Sequence, residues 1–281
     1  MKKFLLVLGM CGLVFVLLEG KYHFFSGFYS WDMDGSAQEK FVKDLWKGML
    51  DGEKEIQLEY IGSHEDVEDF VVKSIEDAFE IDSEDTSSDF DYMRYIHSAS
   101  KVNMSGWGRR YVVTYKMEYL ESREQTEEVE KRVDEILAGW DLKNMSDYAK
   151  IKKVHDYVVD HVTYDTSTKF NSPYYALVKG TSACQGYAVL IYKMLTNMDI
   201  PCRVITGKAK GGLHAWNLVK LDGKWYNLDA TWDDPVGLFG KSSARYNYFL
   251  KSDMDMENHT RDPKFTTDDF YEKYPVSNKS Y

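Results

Sequence analysis

Apolar residues along the chain form one unbroken run and then fall into two rhythms. The run, Phe4 to Leu18, follows Met1-Lys2-Lys3 and has the positive n-region and apolar h-region of an export signal. As a helix it would rise roughly 22 Å, short of the ~30 Å hydrocarbon core of a bilayer. A cleaved signal peptide and an uncleaved anchor both fit. No Ala-x-Ala site follows, whereas Tyr22, Phe24, Phe25, Phe28 and Tyr29 form an aromatic cluster suited to a membrane interface. The favoured expectation for residues 1–30 is therefore an anchor, with the body of the protein exported to the extracytoplasmic side.

From residue 31 the spacing becomes helical or alternating. Phe41, Leu45 and Met49 predict one helix, and Val67, Phe70, Val71, Ile75 and Phe79 another. Tyr111 to Tyr119 alternates as a strand does, and Ser122 with Gln125 opens a charged helix that Gly139 ends. Residues 31–142 are thus expected to form a small α+β domain. A further helix begins at Ser146, carries Ile151, Val154, Tyr157 and Val158, and ends near Tyr164-Asp165. A helix from about Ala183 to Met198, a strand Arg203 to Thr206, a hairpin Leu213 to Ala230 and an irregular tail complete a second α+β domain over residues 143–281.

Composition narrows the function. Of 281 residues, 43% are hydrophobic and 15% aromatic, ample for packed cores, and the net charge of −11 excludes a cationic nucleic-acid-binding surface. Cys11 lies in the apolar run, which leaves Cys184 and Cys202 in the body, too few for a disulfide framework. No Cys/His spacing matches a zinc site, and the acidic stretch Asp82 to Asp91 lacks the glycine and terminal glutamate of a calcium loop, so neither a metal nor another cofactor is expected.

Three residues carry candidate chemistry. Ser182 and Gln185 read as a capping box that places Cys184 in the first turn of a helix, where free N–H groups and the dipole favour a thiolate and a developing oxyanion. A cysteine at a helix start is ordinarily an inert core thiol; the downstream hairpin changes that reading. Asp222-Gly223 is a two-residue turn signal that pairs Leu221 with Lys224, hence Trp216 with Asp229 and His214 with Thr231. His214 and Asp229 then share a face as diagonal neighbours, within side-chain reach. A carboxylate so placed orients an imidazole that takes a proton from a thiol. Trp216 and Trp225 lie on the same face and can exclude water. Asp233 and Asp234 rival Asp229 but fall beyond the ladder, and His259 is a candidate accessory group.

These residues closely resemble the transglutaminase-like superfamily, in particular its bacterial exported members related to papain-fold cysteine peptidases. The resemblance covers roughly Ser146 to Asp262. It rests on Ile151 to Tyr157, Thr163-Tyr164-Asp165, Ala183 to Ala188, His214 to Val219, Asp222 to Tyr226, Asp229 to Pro235 and Tyr248-Phe249-Leu250. It implies a papain-like core, a helix bearing Cys184 packed on an antiparallel sheet bearing His214 and Asp229. It also implies a thioester on Cys184, with His214 as base and then acid and Asp229 behind it. Tyr164 is the aromatic oxyanion donor that the resemblance suggests, with Gln185 and Trp216 as further substrate-side candidates. The implied partner is a peptide or protein at the cell surface. A non-catalytic peptide-binding or cell-wall-binding module with the same fold is the alternative.

Overall fold

Helices form where apolar residues recur three and four apart, and serines set two of their starts. The computed structural model describes residues 4–9, 12–17, 35–83, 85–234 and 245–281. Two compact units divide the chain, Met1–Arg123 and Glu124–Tyr281. Most of the expected anchor lies outside the described residues. Its described parts, β1 (Phe4–Gly9) and β2 (Gly12–Leu17), pair antiparallel instead of forming a helix, with Gly9 opposite Gly12. Among the described residues, no helix is long and apolar enough to cross a membrane.

In the first unit follow α1 (Gly35–Leu50), β3 (Glu55–Ile61), α2 (His64–Phe79), α3 (Asp91–Ile96), β4 (His97–Trp107) and β5 (Arg110–Tyr119). The Ser63 side chain accepts the N–H of Asp66 and starts α2. The sheet order is β3-β5-β4, all antiparallel, so the strand legible by alternation is the central one. Its buried residues Val113, Tyr115 and Met117 meet Leu45, Met49, Val67 and Val71 from the helices in a single core.

The second unit begins with α4 (Arg123–Ala138), which starts within one residue of the expected position. The sequence places this helix in the first domain, but its contacts belong here. Glu130 accepts from the buried Lys193 at 3.2 Å, and Asp134 accepts from Asn197 at 3.0 Å. The boundary therefore falls at the first residue of α4, at 123/124, instead of at 142/143. Next come α5 (Asp147–His161), β6 (Thr163–Tyr164), α6 (Pro173–Lys179), β7 (Thr181–Ser182) and α7 (Cys184–Thr196). Then follow β8 (Cys202–Ala209), β9 (Gly212–Leu221), β10 (Lys224–Leu228), α8 (Ala230–Asp233), β11 (His259–Arg261) and α9 (Asp268–Lys273). Helix α7 is buried throughout, apart from its last residue, and packs against α5, α6, β8 and β9. The sheet is antiparallel in the order β10-β9-β8-β11. A buried helix carrying Cys184 on an antiparallel sheet is the α+β, papain-like layout expected.

The tail departs from its irregular reading. Residues 259–261 add β11 to the free edge of β8, with His259 opposite Ala209 and Arg261 opposite Gly207.

Candidate active site

Cys184 is the first residue of α7 and is 6% exposed. Its position matches expectation, but its cap does not. Ala183, in an extended conformation, is the N-cap and supplies no side-chain bond. Ser182 sits in β7 and donates its hydroxyl to the Phe170 carbonyl, and Gln185 donates to the Asn171 carbonyl at 3.3 Å. The predicted capping box is therefore absent, because both side chains are spent on the 170–171 loop. With the Ala183 N–H donating to the same Phe170 carbonyl at 2.6 Å, that loop is tied to the helix start. Gln185 is buried and supports the loop. Gly186 lies where a Cβ would meet the Ser172 carbonyl at 2.7 Å, so a close backbone approach requires the glycine.

The β9–β10 hairpin has the register read from its turn. Leu221 faces Lys224 and Asn217 faces Leu228, around Asp222 and Gly223 with φ of 50° and 79°, both positive as a type I′ turn requires. The ladder stops one residue short of Asp229, which caps α8 with Oδ1, accepting from Thr231 at 3.0 Å and Trp232 at 3.2 Å. That cap aims Oδ2 at His214, whose Nε2 lies 2.6 Å away. Cys184 lies close enough to His214 to favour its charged form. Since Nε2 is committed to Asp229, Nδ1 is the nitrogen left for sulfur.

His214 and Asp229 are 5% and 1% exposed. Burial pushes the imidazole toward its neutral form, but the Asp229 charge and hydrogen bond, with Cys184 adding, outweigh it and raise the pKa to about 10. Burial likewise favours protonated Asp229, yet His214 and His259 hold its carboxyl well below the usual carboxylate range. The site is thus built to keep an imidazolium beside a sulfur.

The rival acids are engaged elsewhere. Asp233 pairs with His155 at 3.1 Å, and Asp234 accepts from the Tyr187 hydroxyl at 2.9 Å. Trp216 is buried, donates Nε1 to Asn227 at 3.0 Å, and stacks its ring 6.0 Å from that of His214. It walls the histidine. Tyr164 is half-buried, and the β6–β7 pairing sets it opposite Ser182, just before the cysteine.

His259 comes closer to the chemistry than its place in the tail suggests. Its Nε2 lies 2.9 Å from Asp229 Oδ2, the oxygen His214 also uses. His214, Asp229 and His259 offer possible metal-ligand atoms within 4.8 Å of one another. However, the two N···O separations of 2.6 and 2.9 Å are hydrogen-bond lengths. Ligands on a tetrahedral zinc stand roughly 3.3 Å apart, so the donor set fits shared protons and not a resident metal.

Cys184 at a helix start, His214 on the sheet and Asp229 capping α8 stand together in the second unit. Residues 134–230 match the family model of the transglutaminase-like superfamily. The kyphoscoliosis peptidase of Homo sapiens is 26% identical over 155 residues, 47% of this chain and 23% of its own length. That of Mus musculus is 24% identical over 138 residues, 43% of this chain and 21% of its own. The chain thus spans less than a quarter of the length of these relatives. A solved structure described as a TGase superposes with a TM-score of 0.37 at 17% identity, over 54% of this chain and 48% of that one.

Proposed function

We propose that the chain is a thiol-dependent enzyme that transfers acyl groups from peptide or protein amide bonds through Cys184, His214 and Asp229. The observation that carries this reading is the buried His214–Asp229 pair set beside Cys184 at the start of α7. With His214 held as an imidazolium, the thiol proton already rests on Nδ1, and the sulfur attacks the amide carbonyl carbon as a thiolate. The carbonyl oxygen takes the negative charge and is received by the backbone N–H of Cys184 at the start of α7. Collapse of the tetrahedral adduct breaks the C–N bond, His214 returns the proton to the leaving amine, and a thioester remains on Cys184. Water then gives hydrolysis; a lysine amine gives a crosslink. In either case His214 takes a proton from the acceptor, and Asp229 steadies its charge throughout.

The two curated relatives are named as peptidases, which supports amide chemistry. The apolar run after Lys2-Lys3 supports an exported, membrane-tethered location acting on cell-surface peptides.

The test is to incubate the protein with a glutamine-peptide library, with and without an amine donor, beside Cys184→Ala. Ammonia release or peptide cleavage, with a trapped thioester, in wild type alone is the expected result, and dependence on the amine separates crosslinking from hydrolysis. Equal yields from the two proteins would leave a peptide-binding module in place of an enzyme.

A further inference from the structure

A second histidine stands behind the His214–Asp229 pair. The face of the sheet that bears His214 also bears Gly207 opposite it on β8 and Ala209 two residues on, and His259 lies opposite Ala209 on β11. With glycine and alanine between them, the His259 ring meets no large side chain on β8 and reaches Asp229. Its side chain is 1% exposed. Trp232, Trp216 and Tyr248 surround it at ring separations of 4.6, 5.3 and 5.4 Å, and the His214 ring lies edge-on at 5.5 Å. The strand that carries it is anchored in turn, since Arg261 donates to Asn227 at 3.0 Å and to Asp253 at 2.6 Å.

We propose that His259 is a positioning residue for the thiol chemistry, its Nε2–H sharing Asp229 Oδ2 with His214 and thereby fixing both the aim and the strength of the carboxylate. The inference rests on the functional reading above. Asp229 Oδ1 is already held by two backbone N–H groups, so His259 is the fourth donor and fills the carboxylate. A carboxylate sharing its charge among four donors holds an imidazolium less tightly than one with three. His259 thus restrains how far Asp229 raises His214, keeping the imidazolium able to give up its proton to the leaving amine. The titratable groups against the His259 ring are Asp229, His214 and Tyr248, while Nδ1 lies 3.2 Å from the Glu257 backbone carbonyl; Asp233 lies by Tyr248 and Lys210 over Trp232.

The experiment follows the ring nitrogens of His214 by NMR titration in wild type, His259→Phe and His259→Gln. It also measures alkylation of Cys184 by iodoacetamide against pH in these and in His214→Ala. In His259→Phe, which keeps a ring without a donor, the His214 midpoint should move up by about one pH unit, the scale of one hydrogen bond to a carboxylate. The upper inflection of the alkylation curve should follow it. His259→Gln, which keeps an N–H of similar reach, should return both toward wild type, a recovery that a purely packing role does not predict. A titration unmoved in His259→Phe, or moved equally in His259→Gln, overturns the inference. Should the phenylalanine variant fail to fold, the wild-type His259 Nε2–H decides. It should resonate downfield, exchange slowly and shift in Asp229→Asn, and its absence overturns the inference equally. If alkylation in wild type and His214→Ala follows one curve, it is the functional reading that falls. If the curve depends on His214 but not on the His259 donor, only the present inference does.

Discussion

Both oxygens of Asp229 are committed, one to capping α8 and the other to two histidines. Replacing it with asparagine keeps the shape and an oxygen for the cap, but removes the charge that holds the imidazolium. Asp229→Asn should lower the rate of Cys184 acylation by about 10²–10⁴-fold, measured by single-turnover thioester formation. His214 and Asp229 are legible in the sequence because a turn signal sets the hairpin register and register sets the shared face, and Cys184 because apolar spacing marks the helix that it opens. Gln185 and Ser182 are misread as a cap for an equally physical reason. A side chain at a helix start bonds to whatever acceptor lies nearest, and the nearest ones are the carbonyls of Phe170 and Asn171.

Elements are legible where their period is long and regular, and lost where they are short. α1, α2, α4, α5 and α7 follow helical spacing, and β9–β10 follows its turn. By contrast, β11 has three residues and no period to read; it exists because β8 offers an edge. Gly207 makes that docking close, since a Cβ there would strike the Thr260 carbonyl and lie 2.8 Å from Arg261 Cα. Gly207→Ala should cost about 1–3 kcal/mol through overpacking and loosen β11, read as a lower urea midpoint and faster amide exchange at residues 259–261. Helix α5 is fastened to α8 by His155, which is fully buried and lies 3.2 Å from Asp156 and 3.1 Å from Asp233. Burial opposes its charge, but hydrogen bonds to the two carboxylates raise its pKa. His155→Phe leaves Asp233 buried without this partner and should destabilise the second unit by about 3–5 kcal/mol in equilibrium denaturation.

For the molecule as a whole, the histidine–carboxylate pairs tie stability to pH. His214 is raised from 6.5 to about 10 on folding, so its contribution is complete below about 6.5 and lost as pH climbs through 10. Asp229 is depressed, so its contribution is present above the ordinary carboxylate range near ~4 and lost as pH falls through its folded value. The pair therefore favours a stability plateau between about pH 4 and 6.5 with a decline on the alkaline side. Urea midpoints from pH 5 to 10 should trace that decline in wild type, and it should flatten in His214→Gln. The unit boundary shows the same division between local and distant causes. Periodicity locates α4, but the pairing of Glu130 with Lys193 and of Asp134 with Asn197 assigns it to the second unit. Local order, meaning the helix that begins at the cysteine, the two-residue turn and the register that aligns histidine with aspartate, depends on neighbours along the chain and is written in them. The saturation of Asp229, the arrival of His259 from a distant strand and the engagement of the rival acids depend on which surfaces meet, and only the folded packing of residues far apart in sequence decides that.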